Sequence, residues 1–95
     1  MNTDASMELK AAFHLPPALN SVLTLLMAVP ILTPELIEEH VELNYNYRVA
    51  MHRLRAALAP YGIEIRSRRM TGYWLEEEDR EKIKQRVRAA LRAVA

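Results

Sequence analysis

At 95 residues the chain is long enough for one hydrophobic core and too short for two, and 51% apolar content with only 6% aromatics and two glycines points to a mainly helical protein. The absence of cysteine excludes disulfides and thiolate metal sites, so a reducing cytoplasm is the expected location. The formal charge of +1 conceals a partition: residues 1–43 carry −5, residues 44–75 carry +5 and residues 76–95 carry +1, so any polyanion has one segment to meet.

Residues 1–15 are expected to be a flexible tail or short strand. Met1–Lys10 shows no pattern, and Ala11–Leu15 offers Phe13 and Leu15 for packing. Pro16-Pro17 starts a first helix, since proline is tolerated in a first helical turn. Leu19, Val22, Leu23, Leu26 and Met27 recur at helical spacing until Pro30 ends it. The apolar run Val22–Leu32 is about half the length of a membrane span. No basic n-region precedes it, so a buried helix is expected, with neither a signal peptide nor a membrane segment. Thr33-Pro34 is a second start signal, an N-cap hydroxyl followed by proline. The second helix is expected to run to about Leu43, burying Leu36, Ile37 and Val41 with its glutamates outward.

After a turn at Asn44-Tyr45-Asn46, the spacing predicts a third helix over 45–59. Tyr47, Met51, Leu54 and Leu58 form one apolar stripe. A wheel at about 100° per residue sets Asn46, Val49, His52, Arg53 and Ala56 opposite that stripe, with Arg48 and Arg55 on a flank. Pro60-Tyr61-Gly62 stops the helix. Ile63-Glu64-Ile65-Arg66 alternates like a half-buried strand, Arg68–Gly72 forms a basic hairpin tip, and Tyr73-Trp74-Leu75 returns. Residues 76–95 form a fourth helix, with acid at its start, arginine near its end, and Ile83, Val87, Leu91 and Val94 in one stripe. That helix either packs on its own domain or, over 78–95, joins two copies.

All six bases of residues 44–75 are arginine, the side chain suited to bidentate contact with phosphate or guanine. A helix with a mixed polar and basic face beside a basic hairpin supplies two probes for duplex DNA. The expected architecture is mainly α with a small β-hairpin wing: a winged helix-turn-helix over 16–75 with an added C-terminal helix.

The segment VAMHRLRAALAPYGIEIRSRRMTGYWL resembles the effector domain of OmpR-type response regulators. The similarity is carried by Val49, Met51, Arg53, Leu54, Arg55 and Leu58, then by Ile65, Arg69, Gly72, Tyr73 and Leu75. PPALNSVLTLLMAVPILTPELIEEHV looks like the first two helices of that family, so the resemblance covers residues 16–75. It implies a third helix in the major groove and a wing (66–72) at the minor groove or backbone; since the chain departs from the family in showing no receiver, a stand-alone domain is expected. Asn46, Val49 and Arg53 would then face base edges, and Arg48, His52 and Arg55 phosphates. Arg69 would enter the minor groove beside Arg68, and Ser67 and Thr71 would touch the backbone.

Other chemistry has little support. His14, His40 and His52 lack metal-ligand spacing, and the acidic pairs Glu38/Glu39 and Glu76–Glu78 fall on solvated helix faces. Without a nucleophile motif, P-loop or dinucleotide loop, neither an enzyme nor a cofactor is expected. Tyr47 and Trp74 read as packing residues rather than stacking platforms. The expected function is sequence-specific binding of double-stranded DNA by a small transcriptional regulator, as a homodimer or in tandem because one module buries little surface. The alternative is a protein-interaction module on the same scaffold, serving RNA polymerase or phage packaging and assembly.

Overall fold

Three of the helices begin and end where local chemistry dictates. The computed structural model describes residues 3–94: α1 (Thr3–Phe13), α2 (Pro17–Ala28), α3 (Pro34–His40), α4 (Tyr47–Leu58) and α5 (Glu77–Val94), with an antiparallel hairpin of β1 (Arg66–Arg68) and β2 (Gly72–Trp74) before α5. The fold is thus mainly helical with a small two-stranded hairpin. Pro17 opens α2, and Val29 leaves it in extended conformation ahead of Pro30. Thr33 caps α3, its Oγ1 accepting from the Leu36 amide at 3.2 Å, with Pro34 in the first turn. Asn46 caps α4, its Oδ1 accepting from the Arg48 amide at 2.8 Å. A 3-10 turn (Ala59–Tyr61) and Gly62, left-handed at φ 71°, release the chain toward the hairpin.

The N-terminal expectation is corrected. From Thr3 the chain is helical, where a tail or strand was expected. Leu9, Ala12 and Phe13 share the spacing of one helix face and are buried. Phe13 meets the Tyr61 ring edge-on at 5.1 Å, and the Arg86 guanidinium lies 4.5 Å from the same ring. One aromatic side chain of the 3-10 turn thereby ties α1 to α5.

The second predicted helix is also shorter than expected. α3 ends at His40 because Val41 turns extended (φ −126°, ψ 128°) and buries its branched side chain in the core. The third, α4, starts at Tyr47 and not at 45, since Asn46 serves as its cap. Ile63 and Ile65 are buried in the alternating pattern expected of a strand, but ladder pairing begins only at Arg66.

The core gathers Val22, Leu23 and Leu26 of α2, Ile37 of α3, Met51, Leu54 and Leu58 of α4, and Ile83 of α5. The Val22–Leu32 run therefore supplies core side chains, and no single helix among the described residues is long and apolar enough to cross a membrane. Leu32 adds a one-residue strand to the hairpin. Its amide donates to the Tyr73 carbonyl at 2.7 Å, and the Tyr73 amide donates back at 2.8 Å. This bridge fixes the hairpin against the segment between α2 and α3.

Arg80, and Asp79 from the acidic start of the helix, lock α5 in place. Arg80 donates to the carbonyls of Leu75 (3.3 Å), Met27 (3.1 Å) and Val29 (2.9 Å). The last two are at the end of α2, where carbonyls lack helical partners and a cation suits the dipole. Asp79 is 4% exposed and accepts from the Glu64 amide at 3.0 Å, which fixes the approach to β1.

Candidate nucleic-acid interface

Burial divides α4 into two faces. Ala50, Met51, Leu54 and Leu58 point into the core, while Arg48, Val49, His52, Arg53 and Ala56 are exposed. Val49 is the large aliphatic side chain of that face, left 37% exposed beside the small Ala56 and the polar residues. Tyr47, expected to lead the apolar stripe, is half-buried and meets Tyr73 of the hairpin at 6.4 Å.

The six arginines of residues 44–75 divide into braces and free cations. Arg55 is a brace. Its Nε and Nη2 donate to the Ile65 carbonyl at 3.2 and 3.0 Å, Nη2 also reaches Ser67 Oγ at 3.0 Å, and the guanidinium lies over Tyr73. Arg55 and Ser67, both read from the sequence as backbone contacts, are joined here in an internal bond between α4 and the hairpin. Asn46 likewise spends its side-chain oxygen on a helix cap, although it remains exposed. Arg66 is 3.7 Å from Glu64.

The other four, Arg48, Arg53, Arg68 and Arg69, are exposed and have no carboxylate partner among the described residues. Two are steadied by aromatic rings. The Arg48 guanidinium lies 5.5 Å from the centre of the Tyr47 ring, and that of Arg53 lies 4.6 Å from the centre of the Tyr45 ring. Such stacking orders a long side chain while leaving its N–H groups available. Tyr45 and Tyr47 thus serve as platforms for arginine. The signal was the Tyr-x-Tyr spacing just ahead of Arg48 and Arg53.

Helix and hairpin meet across a cleft of about 470 Å³. Arg48 stands on one wall, Ser67, Arg68, Arg69 and Thr71 on the other, with Thr33, Pro34 and Glu35 from the start of α3 at the edge. Val49, His52 and Arg53 are not among its lining residues; they share the outward face of α4. Of the ten residues selected from sequence, seven therefore remain exposed and outside internal bracing or capping, namely Arg48, Val49, His52, Arg53, Arg68, Arg69 and Thr71, while Asn46 is exposed but caps α4.

The tip of the hairpin is a tight turn closed by the Thr71 amide donating to the Arg68 carbonyl at 3.0 Å. Met70 occupies its third position with φ 65° and stands fully exposed. The described residues contain no group of three or more His, Asp or Glu side chains arranged to hold a metal ion. Comparison with known protein families, with curated proteins and with solved structures finds no match.

Proposed function

We propose that the chain is a winged helix-turn-helix domain that binds duplex DNA sequence-specifically and acts as a small transcriptional regulator. In this reading α3 and α4 are the helix-turn-helix pair, Leu32 with the hairpin is the wing sheet, and α1 and α5 are additions around it. The supporting observation is the cleft that gathers Arg48, Arg68 and Arg69, cations without carboxylate partners, from a helix and an adjacent hairpin. An uncompensated guanidinium is fully available to a phosphate, whereas one already paired must first break its bond.

Base reading falls to the outward face of α4. Arg53, held over Tyr45, is the candidate for bidentate contact with guanine, and Val49 for apolar contact with a thymine methyl. Arg48, Arg68 and Arg69 supply phosphate or minor-groove contact, with His52 and Thr71 at the margins.

We further propose that two copies associate through the groove between α1 and α5. Leu9, Met27, Ile83, Val87 and Leu91 line it, Glu8 stands on its α1 side and Arg88 on its α5 side. Opposite charges on opposite walls make the groove self-complementary under a two-fold axis, with Glu8 of each copy facing Arg88 of the other.

The test is selection from random duplexes followed by titration at two salt concentrations. The reading expects one enriched sequence and a steep salt dependence, with the logarithmic slope falling by roughly 0.9 for each phosphate-contacting arginine replaced by alanine. Unenriched pools and an affinity unaffected by Arg53→Ala, Arg68→Ala and Arg69→Ala would overturn it in favour of a protein-binding adaptor.

A further inference from the structure

We infer that Met70 is an apolar wedge, which enters the minor groove of bound DNA and unstacks a base step, so that the hairpin bends the duplex. This rests on the DNA-binding reading above and adds to it a residue, a mode of contact and a preference for deformable sequence.

The side chain is 100% exposed, whereas the other exposed large apolar residues all keep part of their surface covered. Its backbone is strained: φ is 65° at the third position of the turn, a place that favours glycine or asparagine. Both glycines of the chain, Gly62 and Gly72, occupy positive φ. Methionine at position 70 therefore carries a backbone penalty and buries nothing in the free protein. Exposure alone would be ordinary for a single apolar side chain; its coincidence with a strained backbone at a turn tip is what points to a contact absent from the free protein.

The neighbourhood specifies what covers it. Arg68 and Arg69 precede Met70 directly, both exposed and without carboxylate partners among the described residues, so the apolar tip follows two adjacent cations. A polyanion with an apolar interior fits that pattern, and a duplex offers phosphates on the outside and stacked bases within. Methionine is narrow, unbranched and polarizable, and its sulfur packs well on aromatic faces. Apolar side chains of this kind pry apart base steps from the minor groove in architectural proteins.

A wedge also needs a stiff mount. The hairpin pairs Arg66 with Trp74, Ser67 with Tyr73 and Arg68 with Gly72, Leu32 bonds to Tyr73 on the far edge, and Arg55 holds Ile65 and Ser67. The strands behind the tip are thus tied both to α4 and to the segment between α2 and α3. Wedging costs least at pyrimidine–purine steps, so the bound sequence is expected to carry a TA or CA step beneath the wing.

The experiment uses the duplex recovered in the selection above, labelled at its ends with a donor and an acceptor dye, and measures energy transfer with saturating protein. The wild-type chain is expected to bring the ends closer by a kink of roughly 20–90°. Met70→Ala and Met70→Gly are expected to lose about half of that bend or more, Met70→Leu to retain it, and all three to keep the salt dependence set by the arginines. Met70→Gly is expected to melt at a higher temperature than the wild type, since it relieves the strain while removing the wedge. Bending by Met70→Ala and Met70→Gly equal to that of the wild type overturns the wedge and leaves DNA binding intact. Wild-type protein that binds without bending does the same. Wild-type protein that selects no duplex overturns the DNA-binding reading itself.

Discussion

Arg53 and Arg55 are two residues apart on one helix and have opposite fates. Residue 55 falls on the side of α4 that faces the hairpin, where its guanidinium finds the Ile65 carbonyl, while residue 53 projects outward above Tyr45. Periodicity made the difference in direction legible, because the wheel had already put Arg55 on a flank. What the sequence withheld was the partner, a carbonyl ten residues away that arrives only once the hairpin has folded back. Arg55→Met preserves the aliphatic stem and removes the donors, so it is expected to lower unfolding free energy by about 2 kcal/mol in urea titration. Arg53→Ala is expected to change stability by less than about 0.5 kcal/mol. In the duplex selection the same variant relaxes the preference at one base pair, worth about 1–3 kcal/mol. If Arg53→Ala unfolds the chain as readily as Arg55→Met, the division into brace and reader is wrong.

At the scale of elements, the middle of the chain was more legible than its start. Prolines and a cap mark the starts of α2 and α3 locally, at Pro16-Pro17 and Thr33-Pro34, and Pro60-Tyr61-Gly62 marks the exit from α4, whereas the end of α3 at His40 and the start of α4 at Tyr47 hang on the burial of Val41 and the cap at Asn46. α1 has no such punctuation: its apolar face is three residues, Leu9, Ala12 and Phe13, and it acquires meaning only against α5 and Tyr61. Nor does sequence show that α5 is fastened to α2. Arg80 reads as one basic residue among several, yet it satisfies two carbonyls at the end of α2. Arg80→Met is expected to lower stability by about 3 kcal/mol, because it strands partly buried carbonyls as well as removing bonds. A loss below about 0.5 kcal/mol in urea would show that the clamp contributes nothing. The hairpin has its own fastening at Gly72, which has φ 130°. A Cβ there would approach the Leu32 carbonyl oxygen to 2.7 Å. Gly72→Ala is therefore expected to cost more than about 2 kcal/mol and to loosen the hairpin, visible as faster amide exchange at Leu32 and Tyr73.

For the whole molecule, charge and apolar surface fall on different elements. Arg48, Arg53, Arg68 and Arg69 stand on α4 and the hairpin, whereas the apolar groove is lined from α1 and α5 with Met27 of α2. Two copies joined at that groove keep both arginine surfaces free, as a regulator reading two half-sites needs. Within the groove the side chains differ in what they can test. Ile83 is fully buried and Val87 half-buried against the core, so replacing either confounds association with folding, whereas Leu91 stands 44% exposed. Leu91→Glu is thus expected to leave the melting temperature nearly unchanged while converting dimer to monomer in light scattering, and to weaken binding to a two-half-site duplex more than to a single half-site. Charge provides an independent check. Lys84 already has Glu81 at 3.5 Å, but Arg88 has no carboxylate partner among the described residues. Glu8→Lys is expected to weaken the dimer by opposing Arg88 of the second copy, and Glu8→Lys combined with Arg88→Glu to restore it, since the pairing is rebuilt with its signs exchanged. A double variant as monomeric as Glu8→Lys alone would mean that these two residues do not face each other across the axis. A wild-type chain that scatters as a monomer at every concentration would leave α5 as an intramolecular support for the proposed DNA-reading unit and nothing more.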